Sequence, residues 1–198
     1  MVAAAFLLGA IGALTGLFAA IRNRQGSGLG RRIIIGLLLC GTVIAGVGQW
    51  VYRGIVFPPI HDVTTDLANP PAFKALPMRK DNLAGVESLE RWRELHRKAY
   101  SDIAPITLAM TPEAAIARAK TLATARGWTI SPGTIAGQLE ATDTVSPFKF
   151  KDDIVITAIP TADGQSSIVN MRSVSRVGAS DFGINAKRIR QFLTELQL

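Results

Sequence analysis

The residues best equipped for chemistry lie near the C-terminus. Asn170, Arg172 and Arg176 share parity if the strand that holds them runs on, which puts their side chains on one face. Just beyond, Ser180 or Asp181 stands where the last helix is expected to begin, and a helix N-terminus carries free backbone N–H groups. Two guanidinium groups beside such a terminus would suit a phosphate or carboxylate, so these five residues form a candidate anion-binding site. The competing role is structural: Asp181 caps the helix and pairs with Arg172 or Arg176, which neutralises the cluster.

A weaker set joins His61, Asp62 and Asp66 to Asp152 and Asp153, as a hard-cation site or an acid/base cluster. Neighbours on a strand point to opposite faces, so Asp152 and Asp153 converge only in a turn. His61 and His96 are the only histidines, which excludes a histidine-rich zinc site but leaves one histidine with carboxylates open. No metal and no cofactor is expected. Ser173 and Ser175 lack the G-x-S-x-G surroundings of an activated serine and read as strand residues. Cys40 is the single cysteine, so the chain has no internal disulfide. The preceding Leu37-Leu38-Leu39 lacks the small residue that lipid attachment needs, and Cys40 reads as a cysteine buried in the membrane.

Composition shows what must position these groups. All 15 acidic residues lie at or after Asp62, whereas Arg22, Arg24, Arg31 and Arg32 fall between two uncharged apolar runs. The remaining 18 basic residues against 15 acidic ones leave a weak electrostatic footprint, which argues against a nucleic-acid partner. Each run, about 2–21 and 33–52, is long enough to cross a hydrocarbon core as a helix. Residues 1–53 therefore read as a transmembrane hairpin. Met1-Val2-Ala3-Ala4-Ala5 lacks the positive start of a cleaved signal peptide. Basic residues in short loops stay cytoplasmic, so the arginine-rich connection faces inward. This makes a multi-pass inner-membrane protein with an extracytoplasmic, periplasmic C-terminal domain. Gly12 and Gly16, with Ala5 and Gly9, and Gly36 with Cys40, favour packing of the two helices on each other, with a homo-oligomer as the alternative.

Prolines at 58–59, 70–71 and 77 mark residues 54–99 as a linker or arm, ended by a short charged helix over Val86 to Lys98. Residues 100–198 read as a globular domain. Strands are expected at 103–108, 128–131, 138–142, 153–159 and 166–174, with helices from Thr111-Pro112-Glu113 to Gly127 and over 184–196. The order β-α-β-β-β-β-α indicates an α+β fold, two helices on one face of a mainly antiparallel sheet.

Four blocks in this stretch carry a family resemblance. They are Phe57-Pro58-Pro59-Ile60-His61-Asp62-Val63-Thr64-Thr65-Asp66, Tyr100-Ser101-Asp102-Ile103-Ala104-Pro105, Phe148-Lys149-Phe150-Lys151-Asp152-Asp153 and the segment Arg172 to Ala186. From Phe57 to Leu196 the chain resembles the bacterial family called domain of unknown function 1499. The resemblance implies no activity; similar members often carry N-terminal membrane segments. Two functions follow as expectations. The first is a non-enzymatic envelope protein whose outward domain binds an anionic ligand, a lipid head group or a partner protein. The alternative is a membrane-tethered hydrolase with His61 or an aspartate as base and Arg172 and Arg176 holding an anionic substrate.

Overall fold

A computed structural model describes residues 12, 14, 15, 18, 29–83, 85–133, 135–146 and 148–198. They divide into two compact units, 1–56 and 57–198. In the first, helix α1 spans Leu29–Val56. Its segment Ile34–Val56, 23 residues, is the one helix among the described residues long and apolar enough to cross a membrane. Side chains such as Leu38, Val43 and Trp50 face outward from it, as a lipid-facing helix requires. One of the two expected spans is thus present among the described residues. The other expected span, 2–21, with its Gly12/Gly16 pair and the Arg22 and Arg24 connection, falls outside the described residues, apart from a few helical positions. Arg31 and Arg32 belong to the start of α1 rather than to a loop.

The second unit is α+β. Its strands are β1 (Asp62–Thr64), β2 (Ile106–Leu108), β3 (Thr129–Ile130), β4 (Gln138–Val145), β5 (Phe150–Pro160) and β6 (Ser167–Ser175). Its helices are α2 (Leu89–Ala99), α3 (Pro112–Ala125) and α4 (Ile184–Gln197). All strand pairs are antiparallel, in the order β1-β6-β5-β4-β3, with β2 beside the first half of β6. The 54–99 stretch is more structured than its prolines imply. It supplies β1, and from Phe57 onward it belongs to the same unit as the sheet.

Alternation along the long strands sorts side chains between two faces. One carries Leu139, Ala141, Ile154, Ile156, Ala158, Val169 and Met171, buried against α3 and α4. Thr111 caps α3 by accepting the Ala114 N–H at 3.3 Å, with Pro112 in the first turn, where its missing N–H costs nothing. Ala115, Ala119 and Ala123, four apart, are buried, and their small side chains let the helix lie close to the sheet. From α4, Ile189, Phe192, Leu193 and Leu196 complete the core, and Phe192 stacks on Trp128 with ring centroids 4.9 Å apart. Ile184, expected on this apolar stripe, is instead 37 % exposed, because the buried stripe begins with Asn185 and Ala186.

β1 is an edge strand, and such an edge leaves backbone groups without partners. Helix α2 supplies them. Trp92 donates its indole N–H to the Asp62 carbonyl at 3.0 Å, and His96 Nε2 accepts the Thr64 N–H at 3.1 Å. The two side chains are one helical turn apart, so one helix face replaces a missing strand.

Candidate functional site

The sheet face opposite the helices is polar. On it Asp62 of β1, Val174 of β6 and Asp153 of β5 stand in one cross-strand row. The two candidate arginines flank that row and reach diagonally into it. Arg172 donates from Nε to Asp62 Oδ1 at 2.9 Å and from Nη2 to Oδ2 at 2.6 Å, while its Nη1 donates to the Pro71 carbonyl. Arg176 donates from Nε and Nη2 to the two oxygens of Asp153, both at 2.8 Å. Both are bidentate pairs, the strongest arrangement for these groups. The Asp153 carboxylate raises the pKa of the Arg176 guanidinium. The Arg172 side chain is 13 % exposed and that of Arg176 38 %.

Asn170 lies on the same face and accepts the Thr65 hydroxyl proton at 3.0 Å. Ser180 donates to the Pro58 carbonyl and accepts the Phe182 N–H. Asp181 is buried at the start of α4 and accepts the N–H groups of Gly183 at 3.0 Å and Asn185 at 2.5 Å. Burial raises its pKa above the usual carboxylate range. The free N–H groups expected to receive a ligand anion are thus filled by the chain's own carboxylate. Asp181 caps the helix, but the arginines take Asp62 and Asp153 as their partners.

The weaker candidates do not form one cluster. His61 is buried, and its pKa is lowered first by that burial and then by Arg79. Asp66 accepts the Ala68 and Asn69 N–H groups at 2.9 Å, an Asx turn. Asp152 and Asp153 face opposite sides of the sheet, Asp152 toward α4. Among the described residues no three His, Cys, Asp or Glu side chains stand together as metal ligands.

Several functional-looking groups escaped sequence reasoning. Arg188 is buried between α4 and the sheet, with each of its N–H groups used. It donates to Asp143 Oδ2 from Nε at 3.0 Å and Nη2 at 2.9 Å, to Asp152 Oδ2 at 2.7 Å, to Ser173 Oγ at 3.0 Å and to Asn185 Oδ1. Asn185 in turn donates to Ser175 Oγ and the His61 carbonyl. The signal was present: Asn185 and Arg188 interrupt the apolar stripe of α4 at i, i+3 spacing. On the other face Glu140 is fully buried and makes no ion pair among the described residues. Its carboxylate accepts the consecutive N–H groups of Lys74, Ala75 and Leu76, at 2.6 to 3.1 Å, and the Gln138 amide at 2.6 Å. Three backbone N–H groups converging on one carboxylate make a nest, which ties the arm across the sheet. Only strand alternation, which turns Glu140 away from Leu139 and Ala141, could have flagged it.

As a chemical ensemble the region is closed. Ser173 and Ser175 are held by Asn185 and Arg188. The depression lined by Phe73, Pro77, Met78, Arg79, Ser175 and Arg176 has a cavity volume of about 20 Å³, room for a water molecule. A comparison with curated proteins finds no match. The family model described as Protein of unknown function (DUF1499) matches residues 62–196. That match begins with the first residue of β1 and ends in the last turn of α4, and the chain belongs to this family.

Proposed function

We propose that the chain is a membrane-anchored binding module of the bacterial cell envelope rather than a hydrolase. One observation carries this reading: the positions a reacting anion would take are occupied by the protein's own carboxylates. Asp62 and Asp153 fill the two guanidinium forks, and Asp181 fills the α4 terminus. Hydrolysis needs a base facing the arginines in an open cleft, and His61 is 2 % exposed. The depression beside Arg176, about 20 Å³, is far below the roughly 300–1,000 Å³ of small-molecule sites, which favours a contact at the outer surface there. Arg176 is the more exposed candidate arginine and the natural contact for an anionic ligand, a lipid head group or an acidic partner protein.

The apolar helix Ile34–Val56 is the anchor in this reading. Arg31 and Arg32 precede it, with Arg22 and Arg24 further upstream, and the positive-inside rule then directs the following domain to the periplasmic side. Native mass spectrometry of the detergent-extracted full-length chain, beside an Arg176→Ala variant, tests the anion contact. An anionic species carried by the parent and lost from the folded variant supports the reading. The same species on both, or none on either, rejects Arg176 as its holder. Arg172 is left intact because its removal would strand the buried Asp62 charge.

A further inference from the structure

The Phe148-Lys149-Phe150-Lys151 segment has no role in the polar face, yet its side chains are turned to solvent. It forms the turn and first residues of the β4–β5 hairpin. Phe148 is 76 % and Phe150 52 % exposed, and their rings pair with centroids 5.7 Å apart. Lys149 stands between them with a left-handed backbone, φ 56°, a conformation unfavourable for a residue with a side chain. Lys149 and Lys151 are exposed and make no ion pair among the described residues. Val177, also 52 % exposed, is brought alongside by the Arg176 N–H, which donates to the Lys151 carbonyl at 2.9 Å. The nearby carboxylates turn inward: Asp143 and Asp152 to Arg188, Asp153 to Arg176. The outward chemistry of this end is therefore apolar and aromatic side chains ringed by cations. A soluble surface gains nothing from such a cluster, and an anionic membrane interface matches both halves of it.

Connectivity identifies which surface it meets. Helix α1 ends at Val56, and the chain is already packed into the second unit from Phe57. The Pro58 carbonyl accepts the Ser180 hydroxyl, the Ile60 carbonyl accepts the Asp181 N–H, and the His61 carbonyl accepts the Ser175 N–H. Ser175 is the cross-strand neighbour of Asp152, close to the hairpin turn. The end of the sheet that carries Phe148 is thus the end at which the chain enters the second unit. The Asp163-Gly164 turn lies at the far end of β5, roughly 33 Å away at ~3.3 Å per residue.

We infer that the β4–β5 hairpin docks on the bilayer that holds α1. Phe148, Phe150 and Val177 enter the interfacial layer, and Lys149, Lys151 and Arg176 meet anionic phospholipid head groups. This rests on the reading of the chain as membrane-anchored and names the ligand class as a lipid surface.

The test uses the full-length chain in a Cys40→Ser background, carrying a nitroxide at Ser146→Cys or, as reference, at Ala162→Cys by the distal turn. Vesicles contain phosphatidylcholine with or without phosphatidylglycerol. The readout is the relaxation enhancement by oxygen relative to that by a water-soluble nickel complex. The expected result is a several-fold higher ratio at 146 than at 162 with phosphatidylglycerol, reduced toward the reference by Phe148→Ser/Phe150→Ser and by Lys149→Glu/Lys151→Glu. Equal ratios at the two sites overturn the docking, and a high ratio at 146 indifferent to phosphatidylglycerol overturns the head-group contact. An alkaline wash of the same vesicles separates the two readings. If the chain stays in the lipid but 146 is as wet as 162, docking fails and anchorage stands; if the chain washes out, both fall.

Discussion

A methyl group at Gly183 would collide with the ring edge of Phe57, the first residue of the folded unit. Gly183 also has φ 80°, a region where a side chain is strained whatever the space around it. Gly164 offers the matched comparison, with φ 68° and open space where its Cβ would be. Gly164→Ala should therefore cost about 1 kcal/mol, the backbone term alone. Gly183→Ala should cost about 3 kcal/mol or more, since overpacking is added to it. Urea midpoints of the two variants check this, and equal losses would mean that Phe57 moves aside freely.

His96 titrates against the same background of close packing. Burial lowers its pKa to about 4 from an ordinary 6.5, because a charged imidazole would be desolvated there. The imidazole must also stay neutral at Nε2 to accept the Thr64 N–H. The unfolded chain takes up this proton at higher pH than the folded one. The stabilisation is thus complete above pH 6.5 and is lost as pH falls from 6.5 toward 4, by on the order of 3 kcal/mol. His61, also lowered, adds a loss of the same sign. Denaturant titrations across that window should show a shallower decline for His96→Gln than for the parent. An unchanged slope would place the pH dependence elsewhere.

At the scale of elements, one strand residue, Glu140, binds three consecutive N–H groups of the arm across the polar face. Glu140→Gln keeps the size of the side chain but loses the charge that three backbone N–H groups converge on, and it turns an acceptor into a donor facing them. Hydrogen bonds to a charged group contribute about 1.5–3 kcal/mol each, so a loss of roughly 3 kcal/mol is expected even after partial rearrangement. The loss should be local, with residues 66–83 becoming cleavable by protease before the β4–β6 sheet does. Simultaneous loss of both would mean that the arm and sheet unfold as one unit. The same element shows what the sequence hides. The long strands and α3 were legible because alternation, the Thr111-Pro112 cap and Gly127 are local signals. β1 was not, since it lies among prolines and exists through pairing with β6, more than a hundred residues on. The shared face of Asn170, Arg172 and Arg176 could be read from parity, but not that Asp62 and Asp153 would fill the arginines. Partner choice between distant segments leaves no local trace.

At the scale of the whole molecule, charge and apolarity are segregated: every acidic residue follows Val56, and the longest described apolar run precedes Phe57. Residues 57–198 enclose their own core, whose buried members run from Ile60 to Leu196. Among the described residues every member of that core lies at or after Ile60, so the fragment 57–198 should fold without the preceding helix. Its stability should match that of the same unit in the detergent-solubilised full chain to within about 1 kcal/mol, the scatter expected for surface changes at a boundary. Trp92 and Trp128, 2 % and 6 % exposed, report this directly. Both should give a blue-shifted emission and one cooperative urea transition in the fragment. A fragment with red-shifted, non-cooperative fluorescence would mean that the unit depends on its anchor, and the segregation seen in the sequence would then mark a functional boundary without being a folding one.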